Sequence, residues 1–265
     1  MTETAARVKA CCASAYSSAA ARWQLGERFH PGGAALTSRL ARSLRVGAGS
    51  TVVDVGCGVG ASTIQVARET GADAVGVDLS AELLAKARSA AAAAGLHRRV
   101  RFLEADAEAL PLEDESVDAV LCECALCTFP DKPKAAREMA RVLRPGGRLG
   151  LADMVAEPQR LPPELVTLQG WVACVAGARS PGELHAMLEQ VGLHVEALRP
   201  VDGALLGLLD RVEARLRLDR MLDASTPEEL RDRASRGLEL VAAAREAVHT
   251  GTLGYALLSA ARPAP

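Results

Sequence analysis

The stretch at 51–60 constrains the fold of this chain more than any other. A β-branched run leads to Asp54, and three glycines follow at alternate positions, Gly56, Gly58 and Gly60, before a helical pattern begins. This order is typical of a buried strand that turns tightly into a helix. Glycines let the backbone curve and let a ligand lie against it, and the helix N-terminus offers unpaired N–H groups to the same space. The stretch therefore predicts a ligand site at a strand–helix turn.

Predicted strands and helices alternate through much of the chain. Strands are expected at 51–55, 74–78, 100–104, 117–122, 148–153, 193–199 and 254–260. Helices are expected at 5–28, 34–44, 61–70, 80–94, 132–143, 163–176 and 181–191. The pattern predicts an α/β fold, with a doubly wound, mostly parallel seven-stranded sheet and helices on both faces.

We divide the chain into an N-terminal helical segment at 1–50 and an α/β domain at 51–265. A helical, densely charged insert at about 203–249 precedes the last strand and is divided near Ser225-Thr226-Pro227. One interpretation is a pair of solvated surface helices packed by an apolar stripe. The other is a cap over the ligand crevice, because open α/β sheets bind ligands at the carboxyl ends of their strands.

Charge and hydropathy exclude two classes of partner. The net charge is −2 and no long basic run is present, so no nucleic acid partner is expected. No segment reaches membrane-spanning length without charge, and the N-terminus has no apolar signal region, so no membrane partner is expected either. We expect a cytoplasmic protein whose seven cysteines are thiols. The sequence leaves the oligomeric state open, a homodimer included.

Acidic residues end the next predicted strands at the same edge of the sheet. Asp78 ends the second strand, where a carboxylate can accept both hydroxyls of an adenosine ribose. Asp106 follows the third strand within the segment Asp-Ala-Glu-Ala-Leu-Pro, and the turn Arg144-Pro145-Gly146-Gly147 precedes the fifth. The stretch Gly56-x-Gly58-x-x-Ala61 also satisfies the relaxed dinucleotide fingerprint. That fingerprint explains Asp78, but neither Asp106 nor the Pro-Gly-Gly turn.

From about residue 50 to about residue 155 these motifs resemble the UbiE-like class I S-adenosylmethionine-dependent methyltransferases. The resemblance implies a Rossmann-like fold and S-adenosylmethionine as methyl donor. It implies that Gly56, Gly58 and Gly60 after Asp54 hold the methionine part of the cofactor, that Asp78 holds the ribose and Asp106 with Ala107 the adenine, and that Leu79 and Cys122 add further cofactor contacts.

Three cysteines, Cys122, Cys124 and Cys127, follow the fourth predicted strand at this edge. Cys122 and Cys124 share one face if the strand continues. A free cysteine is commonly a small buried hydrophobe, but three within six residues favour a role toward the substrate. A structural zinc held by these three and Cys174 competes weakly, because Cys-x-Cys-x-x-Cys is not a usual zinc spacing.

The segment from Glu123 to Lys132 resembles the Asn-Cys-Val-x-Asn-Leu-x-Pro-Asp-Lys segment of arsenite methyltransferases. Cys174-Val175-Ala176-Gly177-Ala178 resembles their second cysteine segment. The resemblance implies that Cys124 and Cys174 are the ligands of a metalloid substrate, trivalent arsenic, helped by Cys127 or Cys122. Soft thiophilic ions prefer thiolates, and three sulfur ligands leave the arsenic lone pair directed at the methyl group.

The chain also departs from that family. Cys127 replaces an asparagine, Glu123 replaces the residue before the first cysteine, and the family's further N-terminal cysteines are not clearly present. Cys11-Cys12 is an alternative source of a third ligand, whereas Cys57 in the glycine loop is interpreted as packing.

Two other functions stay open. One is a natural-product or quinone-type O-, N- or C-methyltransferase, in which His30 or Glu123 removes a proton from a small organic acceptor. The other is a cofactor- or metalloid-binding module without turnover. Tyr16 either faces the sulfonium or substrate or packs, and Trp171 is core or pocket wall.

Overall fold

The computed structural model describes residues 3–18, 26, 28–167, 174–222 and 228–264. Seven strands form one sheet in the order third, second, first, fourth, fifth, seventh, sixth. They are β1 (Thr51–Val55), β2 (Asp73–Asp78), β3 (Val100–Glu104), β4 (Val117–Glu123), β5 (Leu143–Ala156), β6 (His194–Pro200) and β7 (Leu253–Ala261). Only β7 runs antiparallel to its neighbours. The predicted doubly wound, mostly parallel sheet is confirmed.

Helices connect and cover the strands. In chain order they are α1 (Glu3–Ser17), α2 (Gly33–Leu44), α3 (Ala61–Thr70), α4 (Ala81–Ala93), α5 (Lys132–Val142), α6 (Pro181–Gln190), α7 (Asp202–Leu222) and α8 (Glu228–His249). Local signals set their ends: Ser80 caps α4 by accepting the Leu83 N–H, and Gly71 ends α3 at a φ of 77°. None of the described helices combines the length and the apolar character needed to cross a bilayer.

Three predicted elements differ from the structure. α1 ends at Ser17, and much of the remaining stretch up to residue 28 lies outside the described residues. The predicted turn at 144–147 is an irregularity inside the longer strand β5, where the register with β4 shifts. The predicted helix at 163–176 is only a 3-10 turn at Pro163–Leu165 in its described part, and Cys174 adopts a left-handed conformation that no helix accommodates.

Two apolar layers sandwich the sheet, because alternate strand residues face opposite sides. Leu121 of β4 belongs to the layer beneath α2, α7 and α8, whereas the next residue, Cys122, belongs to the layer beneath α5 and α6. The chain reverses its direction of winding between β1 and β4, which are adjacent at the centre of the sheet. That switch point is where open α/β sheets bind their ligands.

Candidate active site

A cavity that is partly open to solvent lies at the carboxyl ends of β1 to β4. Its wall contains eight of the predicted site residues: Asp54, Gly56, Gly58, Asp78, Leu79, Asp106, Ala107 and Cys124. Four other predicted residues, Gly60, Cys122, Cys127 and Cys174, are not part of this wall. The edge predicted from strand ends is therefore the edge at which the cavity forms.

The glycine loop is shaped by close packing. Gly56 has a φ of 77°, and a Cβ there would lie 2.4 Å from the Cβ of Ala125. Gly60, with a φ of 74°, precedes α3, and a Cβ there would lie 2.7 Å from the Phe102 ring. Both positions require glycine, since a side chain would be strained and would clash. Gly60 thus serves the loop by packing and not by lining the cavity.

Two carboxylates lie beneath and beside the loop. Asp54 is buried and accepts a 2.6 Å hydrogen bond from the Thr63 hydroxyl. Burial raises the pKa of Asp54 to about 7, and the hydrogen bond from Thr63 acts in the opposite direction. Asp78 accepts N–H groups of Gly58 at 2.8 Å and Ser80 at 2.9 Å, one on each oxygen. Each oxygen of Asp78 keeps a second lone pair, which suits two neighbouring ribose hydroxyls.

Asp106 has a partner that the sequence did not predict. The Lys9 ammonium of α1 donates to Asp106 Oδ2 at 2.7 Å and to Glu108 Oε2 at 2.6 Å. The Glu108 N–H donates to the other oxygen of Asp106 at 2.9 Å. The carboxylate expected to accept from adenine is therefore held by α1, which lies over this end of the cavity.

Three cysteine sulfurs come together at the end of β4. The Sγ atoms of Cys124, Cys127 and Cys174 all lie within 4.8 Å of one another. Cys122 is not among them. The strand ends at Glu123, so Cys122 and Cys124 do not continue along one face, and Cys122 is fully buried in the layer on the other side of the sheet. The expected role of Cys122 as substrate or cofactor contact is corrected to core packing.

Close packing joins the two cysteine segments. A Cβ on Gly177 would lie 1.9 Å from the carbonyl oxygen of Cys127, a distance that no side chain can occupy. Cys127 lies in the 3-10 turn Leu126–Thr128, and its N–H donates to Asp153 Oδ2 at 3.0 Å. The glycine in the segment Cys-Val-Ala-Gly-Ala thus lets Cys174 approach the cysteines that follow β4.

Within the group of three cysteines, Cys174 is the one that ionises most readily to a thiolate. Hydrogen bonds from the Cys124 and Cys127 thiols hold the pKa of Cys174 well below its usual range, and Tyr16 and Lys132 act in the same direction. The Tyr16 hydroxyl oxygen lies 3.1 Å from Cys174 Sγ. Burial raises the pKa of Cys127 well above its usual value. A low-pKa thiolate beside thiols is a reactive arrangement toward soft electrophiles.

A second polar group lies in the cavity wall. His30 Nε2 is 3.9 Å from Glu123 Oε2 and 3.4 Å from the Ser62 hydroxyl. Thr37 donates to Glu123 Oε2 at 3.0 Å, and both His30 and Glu123 are buried. His30 Nδ1 is also 3.1 Å from the Pro31 carbonyl oxygen, so the residue both orders its turn and faces the cavity.

The remaining candidates have distinct positions. Cys12 is buried and lines the cavity, and burial raises its pKa to about 12, whereas Cys11 is half-buried. Cys57 lines the cavity too and belongs to a buried apolar cluster. The Tyr16 ring packs 5.6 Å from the Phe29 ring. Trp171 lies outside the described residues.

Comparison with known proteins decides the family. A family model described as "Methyltransferase domain" matches residues 53–151. Methyltransferase GfsG of Streptomyces halstedii is 37% identical over 188 residues, 67% of this chain and 67% of that protein. The 27-O-demethylrifamycin SV methyltransferase of Amycolatopsis mediterranei is 32% identical over 239 residues, 86% of this chain and 83% of that protein. The chain is a class I S-adenosylmethionine-dependent methyltransferase. The predicted enzyme class is confirmed, and S-adenosylmethionine is its cofactor.

Two further proteins resemble parts of this methyltransferase. The arsenite methyltransferase of Halobacterium salinarum is 34% identical over 161 residues, which are 58% of this chain and 40% of that protein. Geranyl diphosphate C-methyltransferase of Streptomyces coelicolor A3(2), solved with Mg²⁺, geranyl diphosphate and S-adenosyl-L-homocysteine, has a TM-score of 0.68 at 20% identity, covering 86% of this chain and 78% of that one. The second likeness shows the shared fold.

Proposed function

We propose that this methyltransferase transfers a methyl group to trivalent arsenic held by Cys124, Cys127 and Cys174. One observation carries the proposal: three sulfurs lie within 4.8 Å of one another, and one of them belongs to the wall of the cofactor cavity. A soft metalloid prefers sulfur ligands. Three-coordination by sulfur leaves its lone pair available for the methyl group.

The donor set argues against structural zinc. Zinc in such sites takes four ligands in a tetrahedron, and the sequence offered Cys122 as the fourth. Cys122 lies on the opposite face of the sheet. The group found among the described residues has three cysteines and no fourth member. Three ligands suit a three-coordinate metalloid better than a closed zinc site.

The cavity wall also fits the cofactor. We propose that Asp54, Gly56 and Gly58 hold its methionine part and that both oxygens of Asp78 accept the ribose hydroxyls. Asp106 and Ala107 would bind the adenine. Asp106 Oδ2 would then accept hydrogen bonds from both the adenine and Lys9. Leu79 supports this placement, because it is an apolar side chain of the wall that is 41% exposed and offers a surface for a planar ring.

Arsenic would bind by exchange of its hydroxyls for thiols. Each thiol proton leaves with one hydroxyl as water, so three thiols and arsenous acid give the tris-thiolate and three waters. The lowered pKa of Cys174 makes it the first nucleophile in this exchange. The Tyr16 hydroxyl holds that sulfur in place.

S-adenosylmethionine supplies a methyl group bonded to a positively charged sulfur. The arsenic lone pair forms the new As–C bond as the S–C bond breaks, and the bonding pair stays on the departing sulfur. Arsenic is thereby oxidised from +3 to +5, and a thiol reductant returns the two electrons. No general base is needed, so the protein contributes mainly position. Because the site needs free thiols, we propose a reducing, cytoplasmic location.

The test is a methylation assay with isotopically labelled S-adenosylmethionine, arsenite and glutathione, with arsenicals separated and detected by mass spectrometry. We expect methylated arsenicals from the natural protein. Cys124→Ser and Cys174→Ser should each lower their rate by about a hundredfold or more, since loss of a direct ligand exceeds the cost of losing a supporting contact. Cys122→Ala is the matched control, and it should retain the rate. Cofactor binding without any methylated arsenical would refute the proposal.

A second candidate is methylation of an organic hydroxyl, and the buried His30–Glu123 pair in the cavity wall favours it. Glu123 or His30 would accept the hydroxyl proton as the methyl group is transferred. One relative, the 27-O-demethylrifamycin SV methyltransferase, is named for an organic substrate. The double substitution of His30→Asn and Glu123→Gln separates the two functions, because it removes both candidate bases and should abolish methylation of a hydroxyl acceptor while arsenite methylation continues. A protein that binds cofactor and methylates neither acceptor would be a binding module.

A further inference from the structure

One cation in the wall of the cofactor cavity has a buried nitrogen without a hydrogen-bond partner among the described residues. Among the described residues, Lys9 and Arg28 are the lysine and arginine side chains of this wall. Lys9 is paired with Asp106 and Glu108. Arg28 Nη1 is buried and has no hydrogen-bond acceptor within reach. A buried guanidinium nitrogen without an acceptor is costly, so its position indicates a ligand group that supplies one.

Arg28 lies at the glycine-loop end of the cavity. The ring of the next residue, Phe29, is 3.6 Å from where a Cβ on Gly58 would be. Arg28 Cδ is 4.0 Å from the corresponding point on Gly33, the first residue of α2. That helix begins with no side-chain cap and no acidic residue in its first turn. Its positive N-terminal end adds to the charge of the guanidinium.

We propose that Arg28 binds the α-carboxylate of the methionine part of S-adenosylmethionine. The cofactor carries one carboxylate, and the acidic side chains of the wall, Asp54, Asp78, Asp106 and Glu123, repel it. Arg28 provides a cation whose Nη1 lacks an acceptor, at the end of the cavity where the loop would hold the methionine part. Arginine and carboxylate form strong charge-assisted, often bidentate, hydrogen bonds. This assignment concerns the methyl donor and does not depend on the acceptor.

The experiment compares S-adenosylmethionine with decarboxylated S-adenosylmethionine, which lacks only the carboxylate. Binding of both is measured by calorimetry to the natural protein, Arg28→Met and Arg28→Lys. We expect the natural protein to prefer the complete cofactor by about tenfold to a hundredfold, as a hydrogen bond to a charged group would give. Arg28→Met should reduce this preference to about twofold or less by weakening binding of the complete cofactor. Arg28→Lys should retain part of the preference.

Arg68→Met is the matched control, because Arg68 is exposed on α3, outside the cavity wall. It should leave both affinities unchanged. Equal affinity of the natural protein for the two ligands overturns the assignment, whether or not the variants fold. A preference that survives in folded Arg28→Met overturns it as well. Because the readout is binding, failure here leaves the arsenic proposal untouched, and failure of that proposal leaves this one untouched.

Discussion

Cys124 and Cys174 have a left-handed backbone, with φ of 53° and 67°. Such a conformation costs a non-glycine residue about 1–3 kcal/mol and persists only where the surrounding structure imposes it. The Cys124 N–H donates to the Ala152 carbonyl at 2.6 Å, which ties the residue to β5. Gly177 packs against the Cys127 carbonyl. The strain therefore lies at the two residues that bring their sulfurs together.

At the residue scale, Gly177→Ala tests this packing. The added Cβ would overlap the Cys127 carbonyl oxygen, and relief requires the two cysteine segments to separate. We expect the free energy of unfolding, measured in urea, to fall by about 1–3 kcal/mol. Gly182→Ala in α6 is the control, since a Cβ there meets nothing within 4 Å, and it should cost nothing. Equal effects of the two substitutions would contradict this account.

The sequence predicted those residues of the candidate site whose positions follow directly from the ends of strands. Asp54 and Asp78 terminate parallel strands, so their meeting at one edge follows from topology alone. Cys122 was misplaced because the strand ends one residue before Cys124, and no local signal marks that change. Lys9 and Arg28 could not be predicted either, since their positions depend on how the N-terminal segment packs across the cavity.

At the scale of elements, α1 contributes four side chains to the cavity wall, Lys9, Cys12, Ala13 and Tyr16. These four residues follow at helical spacing and share one face. Lys9 reaches Asp106 and Tyr16 reaches Cys174. We propose that the described part of the predicted N-terminal helical segment, 1–50, completes the active site by covering it.

Lys9→Met should loosen α1. The Lys9 ammonium is only 11% exposed and makes two hydrogen bonds to carboxylates, so their loss should lower the local opening free energy of α1 by about 1–3 kcal/mol. Amide hydrogen exchange across residues 3–17 measures this directly. The control, Lys86→Met, removes a more exposed partner of Glu82 on α4 and should change exchange by about 0.5 kcal/mol or less. Unchanged protection of α1 in Lys9→Met would refute the role.

The charged insert forms α7 and α8, and their division at 223–227 lies outside the described residues. Leu205, Leu216 and Val241 pack in the same apolar layer as Cys127 and Cys174. None of the described side chains of these helices lines the cavity. The described part of α7 and α8 supports the interpretation as surface helices packed by an apolar stripe. That stripe packs in the same apolar layer as the cysteine group.

At the scale of the whole molecule, the fold was predictable because buried parallel strands are short apolar runs separated by glycine and capping signals. The irregularity in β5 was not, because the segment 144–147 has the composition of a turn. It stays within the strand because the residues that flank it, Leu143 and Arg148, pair with Val117 and Ala119 of β4. Pairing of this kind between distant segments is a tertiary effect that local sequence does not contain.

Stability should depend on pH through Asp153. Burial raises its pKa to about 7 from an ordinary 3.8, so the folded protein holds an extra proton between about pH 4 and pH 7. The contribution of this carboxyl to stability is complete below pH 4 and is lost as pH rises toward 7, by at most about 1.4 kcal/mol per pH unit.

Urea unfolding of the natural protein and of Asp153→Asn from pH 5 to pH 8 measures the effect. The free energy of unfolding of the natural protein minus that of Asp153→Asn should fall from pH 5 to about pH 7 and then level off. Asp114→Asn, which removes a carboxylate that is 75% exposed, is the control variant. A difference for Asp153→Asn that rises with pH would show that the sign is wrong.

The two contacts of α1 have a consequence for the order of events in turnover. One helix of fifteen residues contacts the proposed donor side through Lys9 and the proposed acceptor side through Tyr16. If α1 opens for either ligand, both proposed sites are uncovered together. The spent donor and the methylated acceptor would then dissociate during the same opening of the helix. A partly methylated acceptor would have to bind again before each further methyl transfer.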